Sequence, residues 1–152
     1  MYKLQALEYR LNDESKNYPA IFHFQDLDKF EIYCRRICNY IIKEGIIYRK
    51  TSSLLEDALF AIYVEVDTEE ELFDDALVYK QITLEIRLFH EDEYSALLYT
   101  YDLNTHEEAF DLIGSDFLQI GRNEYKVIAA EIDEDRSTYV LYVEETGYRF
   151  EA

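Results

Sequence analysis

The sequence predicts an α+β fold: a mainly antiparallel sheet carrying one long amphipathic helix over residues 28–44 and short helices over residues 68–77 and 105–113. Three observations carry that prediction. Most of the chain divides into short stretches in which apolar and polar residues alternate, the period of a strand. The connections between them are of hairpin length, and parallel neighbours would need long crossovers. One run, Asp28 to Glu44, keeps helical periodicity longer than any other.

In chain order, Tyr2 to Leu11 alternates with a phase shift between Ala6 and Leu7, which predicts a strand with a bulge. Pro19 opens a short strand over Ala20 to Gln25. In the long run, Leu27, Phe30, Tyr33, Cys34, Ile37, Cys38, Tyr40 and Ile41 form one stripe at helical spacing. Burying such side chains is worth about 1.5–3 kcal/mol each, so the helix is expected to lie on a sheet. Asp28 as N-cap with Glu31 makes an acidic capping box, and Gly45 can close the helix in a left-handed conformation.

Ile46 to Tyr48, Thr51 to Leu55 and Leu59 to Val66 then read as strands, followed by a short helix from Leu72, Phe73, Ala76 and Leu77 under an acidic coat. Gln81 to Phe89 sets Ile82, Leu84, Ile86 and Leu88 against Thr83, Glu85, Arg87 and Phe89, and Ala96 to Leu103 returns as its hairpin partner. Thr105 with Glu108 is a capping box for the next short helix, which Gly114 ends. A meander follows through Phe117 to Ile120, Tyr125 to Ile132 and Thr138 to Glu144, with Thr146 to Ala152 as a loose tail. In the last strand Val140 and Tyr142 put apolar area opposite Tyr139, Leu141 and Val143, so both faces are covered or one meets a partner.

A chain of 152 residues, 49% hydrophobic, suits one domain over 1–152. The order hairpin, helix, strands occurs twice, over 1–66 and 80–145, with Ala20 to Phe30 answering to Leu97 to Phe110, which suggests a duplicated unit.

Charge narrows the function. The net charge is −18, and residues 1–50, with nine Lys/Arg and seven Asp/Glu, carry none of that excess. Such a field disfavours nucleic-acid phosphates and anionic lipid as direct partners and favours a protein with a basic surface. No apolar run is long enough to span a bilayer, no signal segment is read at the start, and the cysteines sit together on one helix face; these point to a cytoplasmic protein.

Motifs of chemistry are scarce. The four glycines are isolated, which leaves no phosphate-cradling loop. No serine sits in a nucleophile elbow, and Cys34 and Cys38 fall on the buried stripe, where a thiolate is disfavoured. His23 reads as an interior or edge histidine, whereas His90 and His106 flank one hairpin with acids beside them. No catalytic residue, metal site or cofactor is assigned from these patterns.

Two surfaces are candidates for binding. The acidic one comprises Glu69, Glu70, Glu71, Asp74, Asp75, Glu91, Asp92 and Glu93, placed to steer a basic partner. The basic one is the outer face of the long helix, Lys29, Arg35, Arg36 and Lys43, suited to an acidic partner or to a second copy in a homo-oligomer. The leading expectation is a non-enzymatic protein acting by protein contacts: a regulator, inhibitor, immunity-type partner or small assembly subunit. A nucleic-acid mimic and a small enzyme with a His/carboxylate pocket are the alternatives.

Overall fold

Alternation becomes strands, and the strands join one ten-stranded sheet with two helices, as a computed structural model shows for residues 6–151 except 69, 71, 74, 92 and 93. The elements are β1 (Ala6–Leu11), β2 (Ala20–Phe24), α1 (Lys29–Ile37), β3 (Tyr40–Lys43), β4 (Ile46–Glu56), β5 (Leu59–Val66), β6 (Thr83–Leu88), β7 (Leu97–Asp102), α2 (His106–Ile113), β8 (Phe117–Ile120), β9 (Asn123–Asp133) and β10 (Thr138–Arg149). The sheet runs β2-β1-β5-β4-β3-β9-β10-β6-β7, with β8 paired to β9. Most neighbours are antiparallel, as the short connections require; β1–β5, β3–β9 and β6–β10 are parallel. The beginning of the first expected strand, residues 2–5, lies outside the described residues.

The helix expected over 28–44 stops at Ile37. Its start is as read: the Asp28 carboxylate accepts from the amides of Phe30 and Glu31, and Glu31 reaches back to the Asp28 amide. Its end is set from outside. Asn39 donates its amide to the Ala130 carbonyl at 2.7 Å, accepts the Ala130 amide on its side-chain oxygen at 2.9 Å, and accepts the Lys50 amide at 2.8 Å. These bonds turn Tyr40–Lys43 into β3, inserted between β4 and β9. Ile41 and Ile42 are both buried, one on each face, and an apolar pair satisfies strand and helix periods equally until pairing decides. Gly45 therefore closes a hairpin: Glu44 and Gly45 both have positive φ, and the Asp135 carboxylate accepts both their amides, at 2.6 and 2.9 Å.

Two further expectations change. No helix forms among the described residues of 68–77; the described residues between β5 and β6 are irregular, and Asp75 and Leu77 are tied down by Arg87 of β6 and by Arg136 of the β9–β10 turn. The tail expected from Thr146 is ordered as β10 through Arg149, and the Phe150 amide donates to the Arg122 carbonyl at 2.7 Å.

The main core lies between one sheet face and the two helices, joining Leu7, Ile62, Leu84, Ile86, Leu141 and Val143 to Ile32, Cys34, Ala109 and Ile113. On β6, β9 and β10 the alternate residues Glu85, Arg87, Glu131, Asp133, Thr138 and Val140 face the other way and are buried too. Of the β5–β6 crossover, Phe73 and Asp75 lie against Arg87, Tyr79 against Glu85, and Phe73 against Tyr142 on this face. No helix among the described residues is long and apolar enough to cross a membrane.

Candidate functional site: an acidic, aromatic-lined cleft

Burying charge on the second sheet face works because the charges are paired. Glu85 and Arg87 are 0% exposed. Glu85 accepts from Arg87 Nε at 3.1 Å, from Arg136 Nη1 and Nη2 at 2.8 and 3.0 Å, and from the Tyr79 hydroxyl at 2.7 Å. Arg136 also donates to Asp133 at 2.7 Å and to the Leu77 carbonyl at 3.1 Å. Burial alone would raise the Glu85 carboxyl, but these bonds and the two guanidinium charges outweigh it and hold it below its ordinary range. The Arg87 guanidinium lies 3.6 Å from the Phe73 ring centre and donates to Asp75 and to the Ser95 carbonyl. Tyr94 hydrogen-bonds Asp75. The acidic crossover is thus fastened to the sheet and to the β6–β7 connection through Arg87 and Arg136.

Beside this fastening a cleft of about 670 Å³ opens. Glu70 of the crossover and Glu91 of the β6–β7 connection both line it, so two acidic segments separated in sequence meet at one opening. Its walls are aromatic: Tyr40, Phe73, Phe89, Tyr94 and Tyr142. Phe73 touches both Tyr94 and Tyr142, with ring centres 5.7 and 6.2 Å apart. Glu131 of β9 lines the cleft as well and is 3% exposed. Its Oε2 accepts the Tyr142 hydroxyl at 3.1 Å. Burial, helped by the negative charge of Asp133, pushes its carboxyl up to about 8 against the opposing effects of Tyr142 and Arg136.

Of the acidic candidates, Glu70 and Glu91 are brought to this cleft, and Asp75 is joined to it through Tyr94. Glu69, Glu71, Asp74, Asp92 and Glu93 lie outside the described residues. The basic candidates do not form one helical face. Arg35 is buried and grips Glu134 through Nε and Nη2 at 3.1 and 2.7 Å; Arg36 lies over Phe60; Lys43 belongs to β3 and sits over Phe22; Lys29 remains exposed on α1. Shortening the helix removed Lys43 from the row, and the turn of α1 carried Arg35 inward.

The histidines separate. His23 lies on edge strand β2, 3.1 Å from Glu8, and His90 is exposed in the cleft. His106 starts α2 in a second cavity of about 450 Å³ shared with Glu31, Arg35, Glu134 and Tyr139. Its Nδ1 is 2.9 Å from the Tyr139 hydroxyl, and its Nε2 is 3.8 Å from Glu31 Oε2. Asp28, Glu31 and His106 could together offer three metal-ligand atoms within 4.8 Å of one another. Their capping duties compete with that role: Asp28 Oδ1 is occupied by two amides, and Arg35 Nη1 stands 3.8 Å from Glu31 Oε2. Cys34 and Cys38 are free and buried, and burial pushes the Cys34 thiol up to about 11 and the Cys38 thiol higher still.

Glu131, Glu85, Arg87 and Arg136 were not singled out from sequence. The usable signal was phase: Glu85 and Arg87 alternate within the cleanest strand of the chain, and β10, with apolar residues on both faces, implied that its neighbours' outer faces are covered too. Comparison with protein-family models, with curated proteins and with solved structures gives no match.

Proposed function

We propose that this protein is a non-enzymatic protein-interaction protein, a regulator, inhibitor, immunity-type partner or small assembly subunit, that receives a cationic segment of its partner in the acidic cleft. The observation that carries this reading is the meeting of Glu70 and Glu91, from two distant acidic segments, at the rim of one aromatic-walled cleft. Acidic rims steer basic partners and mainly accelerate encounter, while aromatic walls supply contact area. The net charge of −18 reinforces the steering. The free buried thiols accord with a reducing, cytoplasmic setting.

The test is capture from native extract at low and moderate salt with wild type and with Glu70→Lys/Glu91→Lys. A basic protein retained by wild type, lost by the variant, and bound more slowly as salt rises supports the reading. A partner whose association rate and salt dependence are the same for both proteins overturns it.

The same proposal extends to architecture. Residues 6–66 pair as β2-β1-β5-β4-β3 and residues 83–149 as β7-β6-β10-β9-β8, with β1–β5 and β6–β10 parallel and a helix after each first hairpin. This correspondence supports a duplicated hairpin–helix–strands unit. A core drawing on both halves, and the β3–β9 pairing between them, support one domain.

A second reading, a small enzyme with a His/carboxylate pocket, is favoured by His106 beside Glu31 in the second cavity. Calorimetric titration with Zn²⁺ and Mn²⁺ separates the two. Stoichiometric binding abolished by His106→Ala supports the second reading, and heat unchanged by that substitution removes its metal-assisted form.

A further inference from the structure

We propose that an arginine side chain of the partner enters the acidic cleft and pairs with Glu131, making Glu131 the specificity-determining residue of the docking site. This rests on the docking reading above. Three acidic residues are buried among the described residues: Glu85, Glu131 and Asp133. Glu85 and Asp133 each have an arginine within 3 Å, Arg136 at 2.8 and 2.7 Å respectively. Glu131 has no ion-pair partner among the described residues, although it lines an open cleft. A buried carboxyl without a counter-charge is costly, and a desolvated cation arriving from the cleft recovers that cost.

Arginine suits the site better than lysine. Its guanidinium is planar, meets a carboxylate through two parallel hydrogen bonds and stacks on rings, whereas an ammonium is a strongly hydrated point charge. The chain already uses this mode next door: the Arg87 guanidinium lies 3.6 Å from the Phe73 ring centre while donating to Glu85 and Asp75. Phe73 also lines the cleft and contacts Tyr142, whose hydroxyl holds Glu131. A guanidinium at Glu131 is thus beside Tyr142 and within a cleft lined by aromatic rings of the same kind. The charged and titratable groups that act on Glu131 are Asp133 on its own strand, Arg136 in the following turn, Tyr142 on β10, Tyr40 on β3 and Glu70 on the crossover.

The test compares binding of acetyl-(Gly-Arg)4-amide and acetyl-(Gly-Lys)4-amide to wild type, Glu131→Gln and Glu107→Gln, the last the same side-chain replacement at an exposed position of α2. Wild type is expected to prefer the arginine peptide by about three- to fivefold. Glu131→Gln is expected to lose about tenfold in affinity for it together with the preference, and Glu107→Gln to keep both. A second measurement needs no variant: the carboxyl carbon of Glu131, followed by NMR in wild type, titrates nearer the ordinary carboxylate range when the arginine peptide is saturating. Equal binding by wild type and Glu131→Gln, or an unmoved Glu131 titration, overturns the insertion and leaves cleft docking standing. Failure of both peptides to bind wild type overturns the two together.

Discussion

Replacing Arg136 with methionine tests whether the buried charge network fastens the acidic crossover to the sheet. Arg136 gives two hydrogen bonds to Glu85, at 2.8 and 3.0 Å, one to Asp133 at 2.7 Å and one to the Leu77 carbonyl at 3.1 Å. Methionine fills similar volume but leaves Glu85, 0% exposed, with Arg87 and Tyr79, and leaves Asp133 with backbone amides. Breaking a buried pair from one side costs about 3–5 kcal/mol. With a urea slope of about 1–3 kcal/mol/M, the unfolding midpoint at pH 7 should fall by more than about 1 M. The loss depends on pH with a definite sign. The folded Glu85 carboxyl lies below its ordinary value, so in wild type it contributes stability above that value, which disappears as pH falls through the folded one. The Arg136→Met substitution abolishes the contribution, so the gap between the proteins should narrow from pH 7 to pH 4. A loss under about 1 kcal/mol at pH 7, or a gap that widens toward pH 4, refutes the fastening.

Glu131 should behave in the opposite sense: burial pushes its folded carboxyl up to about 8, above its unfolded value, so its cost to stability grows as pH rises from the unfolded value to about 8 and stays constant above that. Glu131→Gln is therefore expected to melt higher than wild type at pH 9, by a gain of up to about 5 kcal/mol, and to differ little at pH 5; differential scanning calorimetry at both pH values checks it. Cys34, pushed up to about 11, and Cys38 should resist a thiol-specific disulfide reagent at pH 7.5 until denaturant is added, as followed by absorbance. Gly45→Ala should cost about 1–2 kcal/mol because φ there is +75°. Asp135→Ala should cost about 1 kcal/mol through loss of both bonds to the β3–β4 turn, with urea titration reporting each.

Much of the fold was legible because local chemistry and tertiary context agreed. The capping box at Asp28 and the alternation of β5, β6 and β10 survive folding unchanged, and at Thr105 half of the expected box forms: its hydroxyl accepts the Glu108 amide, while the Glu108 carboxylate accepts the Asn104 amide instead of that of Thr105. Reading failed where a segment satisfied two periods at once. The apolar run around Ile41 and Ile42 fits a helix stripe as well as a strand buried on both faces, and Asn39 settles the matter through bonds to Ala130, some ninety positions away. No local signal carries that information. The crossover failed for a related reason: Phe73 is spaced for a helix face but is held by Arg87 and Tyr142 on the sheet. Half of the site was therefore visible as acidic composition around residues 70 and 91, while its buried partner, Glu131, looked like an ordinary charge in an alternating strand.

The claim on which the account depends is that cationic chains dock at one place and not across the whole anionic surface. A two-dimensional amide NMR titration of wild type with acetyl-(Gly-Arg)4-amide at moderate salt tests it directly. The account predicts saturable shifts concentrated at Tyr40, Phe89, Tyr94, Ala129, Glu131 and Tyr142, all lining residues of the cleft. Weak, unsaturable shifts spread evenly over exposed acids such as Glu107, Asp111 and Glu144 would contradict it.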